Sequence, residues 1–562
     1  MLVERVVGLI TDPVHPVDAN QLLIMTFTNA AAAKLRADIT TRLAQEVRAH
    51  PGDLHLRSQQ LLLQRASIGT VDAFCLHFVQ QHFAMLDVPP DFETADEADL
   101  ARIEQETLAA TLETAYQDPD FRAFADLYDR GRTDNTAGDA ILDLYHFTRA
   151  LPHPAASLAA FAAMWQQDAP PKDALWGKEL LGIALARAQG AKTLLESGAA
   201  IAARDEAADR AYTAVMQDDA ARVKNLCYYL KKGDWDKSLA ALDAVLTGWR
   251  RAGSVKGGKD ANQCASAASQ LRDRAKDQMT SLQKDVLLCT AEEFAADRRR
   301  AAPLVAALVR ATQAFADSCF AAKCAEKVLD YADYEHLTLD LLLTESNERT
   351  PLCATVSARY AAVLVDEYQD TNALQDAIYF ALARPEADNL FFVGDIKQSI
   401  YRFRLADPGI FVDKQQRWQP HPQPAPLPST LALDANFRSA PGVIAGINYL
   451  FETFFSRGLG GVDYGDGQRL VVGGDKDAAY QGMCEIDVID GADVDGDAAV
   501  IARRIAEMVG QGFPVRGKDG PRPCRYDDFC ILLRGRKGFA AYEGALRTAG
   551  IPVFADSATD LL

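Results

Sequence analysis

Two adjacent carboxylates stand out in the run Val363-Leu-Val-Asp-Glu-Tyr-Gln-Asp370, where an apolar stretch delivers Asp366 and Glu367 to the C-terminal edge of a predicted strand. That edge is where open α/β sheets bind ligands. Magnesium on a nucleotide takes hard oxygen ligands, commonly one carboxylate acting through water. Hydrolysis needs a second group to orient or deprotonate the attacking water. Asp366 suits the first task and Glu367 the second. The competing reading is an acidic helix start, where carboxylates complement the helix dipole. An isolated Asp-Glu pair would favour it; the whole Asp-Glu-x-Gln-Asp string does not.

A second run, Phe392-Val-Gly-Asp-Ile-Lys-Gln-Ser-Ile-Tyr-Arg-Phe-Arg404, places Gln398 after a strand and turn, where its amide can touch a terminal phosphate. Tyr401 and Phe403 alternate with Arg402 and Arg404, so rings able to stack on bases interleave with cations able to pair phosphates. Burial in a core competes with contact evenly for Tyr401, and contact leads for Phe403. In Leu433-Asp-Ala-Asn-Phe-Arg-Ser439, Arg438 can reach a nucleotide phosphate as arginine fingers do, with a surface salt bridge as the alternative.

These residues need elements to hold them. Residues 22–28 read as a buried strand, followed by an alanine-rich helix from Asn29, its expected N-cap, to about Ala49. Ala66–Val71 reads as a strand before a helix over about 72–85. This alternation predicts a parallel α/β sheet, to which Ala362–Val365 and Leu390–Val393 return. Between about 95 and 345, Ala, Leu and charged residues recur at helical spacing, as in 199–223 and 269–288, which predicts a helical insertion. The five prolines of Gln419–Pro428 predict an exposed linker or a rigid loop. Beyond it, Leu431–Asp434, Cys484–Ile489 and Phe529–Leu533 read as strands of a second α/β domain, with a helix at Tyr542–Ala549.

Composition narrows the class. The 562 residues are 49% hydrophobic and 24% charged, ordinary for a globular chain of several domains. No run of the roughly 18 apolar residues a membrane span needs is expected, nor a secretory signal. A net charge of −19 argues against a small passive nucleic-acid coat, but not against a motor with its cations in one groove. Ten scattered cysteines point to a reducing compartment, and neither Cys319/Cys324 nor Cys524/Cys530 has zinc-site spacing.

Asp366–Asp370, Gly394–Arg404 and Asn436–Ser439 resemble motifs II, III and IV of the UvrD/Rep-type superfamily 1 DNA helicases. Thr26–Ala33 resembles motif Ia and Gly69–Cys75 motif Ib. Leu2–Arg5, Arg65–Cys75, Ser399–Pro408 and Leu433–Ser439 bring the likeness closest to the AddA-type components of the helicase-nucleases of bacterial double-strand-break repair. The resemblance implies a RecA-like P-loop NTPase motor domain (1–94 and 346–425) with a helical insertion (95–345), followed by an incomplete second RecA-like domain (426–562). ATP and Mg2+ would be the cofactors, bound between the two motor domains. Asp366 would hold the metal and Glu367 activate water, while Gln398 and Arg438 contact the γ-phosphate. Thr26, Phe27, Asn29, Thr70, Tyr401 and Phe403 would line a single-strand DNA track.

The implied partners are single- and double-stranded DNA ends and an AddB-like subunit, in the cytoplasm. Asp72 stands where motif Ib often has histidine; a carboxylate would repel phosphate, so it is not assigned to DNA. The one match to a phosphate loop, Gly253-Ser-Val-Lys-Gly-Gly-Lys259, is followed by Asp260 and has no strand before it, so a basic loop is expected there. The family's own phosphate loop would end beside Met1, and motifs V and VI and the nuclease have no counterpart, so a fragment without efficient ATP hydrolysis is expected. Two other readings stay open: a short single-strand-binding module that does not turn over ATP, and another UvrD- or RecB-like helicase.

Overall fold

The computed structural model describes residues 1–128, 135–167, 169–421, 428–456, 461–465, 467–473, 482–489, 493–517 and 520–554. It divides into two compact units, Met1–Lys414 and Gln415–Leu562.

Six strands frame the first unit: β1 (Leu22–Thr26), β2 (Ser67–Thr70), β3 (Glu93–Thr94), β4 (Val328–Leu329), β5 (Ala362–Val365) and β6 (Leu390–Phe392). Four form a parallel sheet in the order β2-β1-β5-β6. Successive side chains of a strand face opposite ways, and both faces here are covered. Leu22, Ile24, Ala362 and Leu364 share one core with α1 (Leu2–Ile10) and α2 (Asn29–Ala49). Leu23, Met25, Val363 and Val365 share the other with α3 (Val71–His82), α5 (Tyr331–Leu342) and α6 (Ala373–Leu382). The result is a helix–sheet–helix sandwich, which explains why β1 and β5 are apolar along nearly their whole length.

The helical segment leaves and re-enters beside itself, because β3 pairs with β4 in parallel. One helical cluster packs Leu195, Met216, Leu242 and Met279. Another packs Phe121, Ile141 and Phe315 around α4 (Ala291–Glu326). Contrary to expectation, α4 is long and apolar enough to cross a membrane by length and composition. Its apolar stripe, including Leu308, Ala311, Phe315 and Cys319, is buried in that core, which accounts for the composition. The stretch 199–223 is not one helix: Asp205 accepts from the Ala207 and Ala208 amides and starts a new one.

Where α4 meets the sheet core, Lys323 is 1% exposed and bonds Asp330 at 2.8 Å and Asp333 at 2.6 Å. Arg149 pairs with the same two carboxylates. Asp330 also caps α5 by accepting from the Asp333 amide.

In the second unit, Pro441–Phe454, Val494–Gly510 and Phe539–Thr548 are helices, and Ala502, Ile505, Leu546 and Ile551 form a small core. The three strands expected there are not strands: 431–434, 484–489 and 529–533 have no ladder partner among the described residues. Val488 (90%) and Leu532 (89%) lie exposed. An apolar run becomes a strand only when another strand pairs with it. Of the proline-rich loop, 422–427 lie outside the described residues.

Removing one partner of a buried ion cluster strands the opposite charge. Asp333→Ala is therefore expected to destabilise the first unit by about 3 kcal/mol, read as a lower urea midpoint at unchanged slope. An unchanged midpoint would refute the role given to the cluster.

Candidate functional site

β5 ends at Val365, and the Asp366 amide extends the ladder by one more bond, to the Met25 carbonyl at 2.9 Å. Glu367 then takes left-handed backbone (φ 52°), a conformation that costs a side-chain-bearing residue about 1–3 kcal/mol and persists where surroundings impose it. The next residue supplies the restraint. The Tyr368 amide donates to the Val393 carbonyl at 2.9 Å, and its ring lies buried, stacked on Phe392 at 4.1 Å and edge-on to Phe411. Its hydroxyl donates to Asp376, which Lys414 pairs at 2.8 Å. The turn is thus clamped through Tyr368.

Burial raises the Asp366 carboxyl, and the neighbouring Glu367 charge raises it further. Neither carboxylate has a salt-bridge partner among the described residues. No cluster of three or more potential metal ligands is found among them either. Glu367 Oε2 accepts a bond from Gln369 Nε2 at 2.6 Å. Asp370, at the end of the turn, is pushed up to about 6 by burial and then by Glu367, and its Oδ1 is buried without a hydrogen-bond partner.

Gln398 lies beyond the adjacent strand β6, in a single turn started by Asp395. Its Nε2 donates to Asp395 Oδ2 at 3.0 Å, and Lys397 Nζ pairs with Oδ1 at 2.8 Å. Burial pushes the Asp395 carboxyl up, but these two donors outweigh it and leave it below its ordinary value. Asp366, Glu367 and Gln398 are therefore on neighbouring strand ends of one sheet. Arg438 is in the second unit, exposed, in a loop closed by its own amide donating to Asn436 Oδ1 at 2.9 Å.

The proposed track residues divide. Phe27 and Tyr401 rings lie 4.4 Å apart, Tyr401 and Phe403 5.8 Å apart, and the Arg404 guanidinium sits over both Tyr401 and Phe403. Phe403 is 77% exposed and Tyr401 half-buried. Thr26 and Thr70 are register partners whose hydroxyls have local work. Thr26 donates to the Thr28 carbonyl at 3.0 Å, and Thr70 accepts from the Ala73 amide and caps α3. Asn29 is exposed in the first turn of α2, but the cap is Thr28, which accepts from Ala31. The extended backbone of Thr28 lets its hydroxyl turn back on the helix, which Asn29, already helical, cannot do. The decoy Gly253–Lys259 is a loop before a single turn, with no strand leading into it.

Sequence reasoning missed three contributors. Gln369 and Asp395 lie inside the quoted motifs, yet their partners are visible only in three dimensions. Glu335 is buried beside Asp72 and accepts from Gln375 Nε2 at 2.7 Å. Burial, then the Asp72 charge, pushes Glu335 up to about 8.

The parallel α/β sheet thus carries an acidic pair at its C-terminal edge and an amide-bearing turn after the next strand, the edge at which such sheets bind ligands. The chain belongs to the UvrD/REP helicase family, whose N-terminal domain matches residues 1–419. It is 33% identical over 586 aligned residues to the A component of the ATP-dependent helicase/nuclease of Bacillus cereus strain AH187, and equally so to those of Bacillus anthracis and Bacillus thuringiensis strain Al Hakam. The alignments cover 100% of this chain and 47% of each relative, so the chain spans about half the length of the curated relatives it matches.

Between pH about 4.5 and about 8 the folded chain holds a proton at Glu335 that the unfolded chain has released. Rising pH therefore favours unfolding across that window. Glu335→Gln is expected to flatten the decline, measured as urea midpoints from pH 5 to about 8.5; an identical pH dependence in the variant would refute this.

Proposed function

We propose that this chain is the motor part of an ATP-dependent DNA helicase that moves on single-stranded DNA, within a helicase-nuclease of double-strand-break repair. The supporting observation is the hydrogen-bonded continuity from Glu367 through Gln369 to the turn bearing Gln398, on adjacent strand ends of a helicase-family sheet. In this reading 1–94 and 346–425 are the first RecA-like motor domain, 95–345 its helical insertion and 426–562 the beginning of a second. The proposed partners are DNA ends and a second, AddB-like subunit, in the cytoplasm.

When bound, Mg2+ and ATP supply the phosphoanhydride and the charge that neutralises the transferring group. Asp366 offers the oxygen ligand for the metal. Glu367 orients water and takes its proton. Gln398 donates an amide hydrogen to a γ-phosphate oxygen, and Arg438 offers a guanidinium of the kind that pairs with phosphate. Phe27, Tyr401 and Phe403 provide base-stacking rings, Arg404 a cation beside them, and Thr26, Asn29 and Thr70 polar groups near the backbone.

A second reading, single-strand binding without turnover, draws on the exposed aromatic row, which needs no nucleotide. One experiment separates them. In an intact version of the protein, Glu367→Gln is expected to abolish DNA-stimulated ATP hydrolysis while leaving nucleotide binding intact. Hydrolysis persisting in that variant would remove Glu367 from its role, and none in the unaltered intact version would favour the binding module. Phe403→Ala is expected to weaken oligonucleotide affinity by about 1–3 kcal/mol, seen in a fluorescence titration; equal affinity would refute the stacking assignment.

A further inference from the structure

Gln369 is 1% exposed and spends both ends of its amide on the site. Nε2 donates to Glu367 Oε2 at 2.6 Å, and Oε1 accepts from the Asp395 backbone amide at 2.9 Å. Asp395 in turn accepts from Gln398 Nε2 at 3.0 Å and from the Lys397 amide at 3.1 Å. A primary amide donates at one end and accepts at the other at any pH near neutral, as both partners here require. Neither bond can be exchanged for water without opening the site.

The neighbouring backbone is shaped to this amide. A Cβ on Gly394 would stand 2.6 Å from Gln369 Oε1 and 3.0 Å from the Phe411 ring. The glycine is therefore required by close approach. Glu367 Oε1, the other carboxylate oxygen, makes no bond to the described residues, so the amide fixes one oxygen and leaves its twin for water.

We propose that Gln369 is a positioning residue, which aims the Glu367 carboxylate and ties it to the turn carrying Gln398, so that the water-activating group and the phosphate-touching amide are set as one unit. This rests on the reading of Glu367 and Gln398 given above. It adds that their relative placement is set by a residue that touches neither water nor nucleotide. Movement of the Asp395 turn is then transmitted to Glu367 through one amide.

The test compares Gln369→Met, Gln369→Glu, Gly394→Ala and unaltered protein, by amide hydrogen exchange on this chain and by ATP turnover in an intact version of the protein. Gln369→Met keeps the volume and loses both bonds. It is expected to speed exchange across 394–398 about tenfold with β5 unchanged. The turnover number should fall about 10- to 100-fold, with little change in KM for ATP. Gly394→Ala is expected to do the same by pushing the amide aside.

In Gln369→Glu, a protonated carboxyl can still donate to Glu367, whereas an ionised one faces the Glu367 and Asp370 carboxylates. Turnover should be partly restored at low pH and fall as pH rises, a limb absent from unaltered protein. Unchanged exchange at 394–398 in Gln369→Met, or exchange rising equally in β5, would overturn the proposal, the latter by making Gln369 a mere core plug. A Gln369→Glu pH profile identical to that of unaltered protein would also overturn it. Turnover surviving in Glu367→Gln would instead sink the reading of Glu367 and leave the exchange link to Asp395 standing.

Discussion

The parallel pairing of Leu22–Met25 with Ala362–Val365 is the constraint on which the rest of the first unit depends. A parallel pair cannot be closed by a tight turn and requires a crossover. Here almost the whole helical part of the unit lies between the two strands. The chain manages this by leaving at Glu93–Thr94 and returning beside it at Val328–Leu329, so the loop is closed locally before the sheet is closed globally. Once β5 is seated between β1 and β6, Asp366 inherits its position from the ladder, through its amide bond to Met25.

The strand-end turn converts that position into a site. Glu367 holds left-handed backbone because Tyr368 is anchored behind it, by an amide bond to Val393, a ring stacked on Phe392 and a hydroxyl on Asp376. Strain of this kind is sustained by packing elsewhere. Asp366 and Glu367 have no cationic side-chain partner among the described residues, and burial together with the neighbouring Glu367 charge raises the cost of ionising Asp366. A bound cation relieves that cost.

Burial sets the remaining polar groups. Asp72, which a surface reading would treat as a charge repelling phosphate, is instead partly buried beside Glu335 in the α3–α5–α6 packing. Thr26 and Thr70 end their strands at one register position, and their hydroxyls finish the backbone bonding of the turns into α2 and α3. Phe27, Tyr401 and Phe403 form a graded row from half-buried to exposed, so anchorage and contact fall to neighbouring rings of one group.

Much was legible in the sequence. The apolar runs of β1 and β5, the acidic pair after β5, the alternating rings and arginines, and the helical character of the long insertion are all local patterns, and local patterns survive in one dimension. Sequence alone also distinguished the Gly253–Lys259 decoy, since its context lacks a strand. What it could not decide was pairing. Leu431–Asp434, Cys484–Ile489 and Phe529–Leu533 have the composition of strands and no ladder among the described residues, because a strand is a relation between two segments. For the same reason Gln369 was only one letter of a motif. Its amide acquires a role when Asp395, on another strand's end, comes within 2.9 Å of it, a meeting that only the folded sheet brings about.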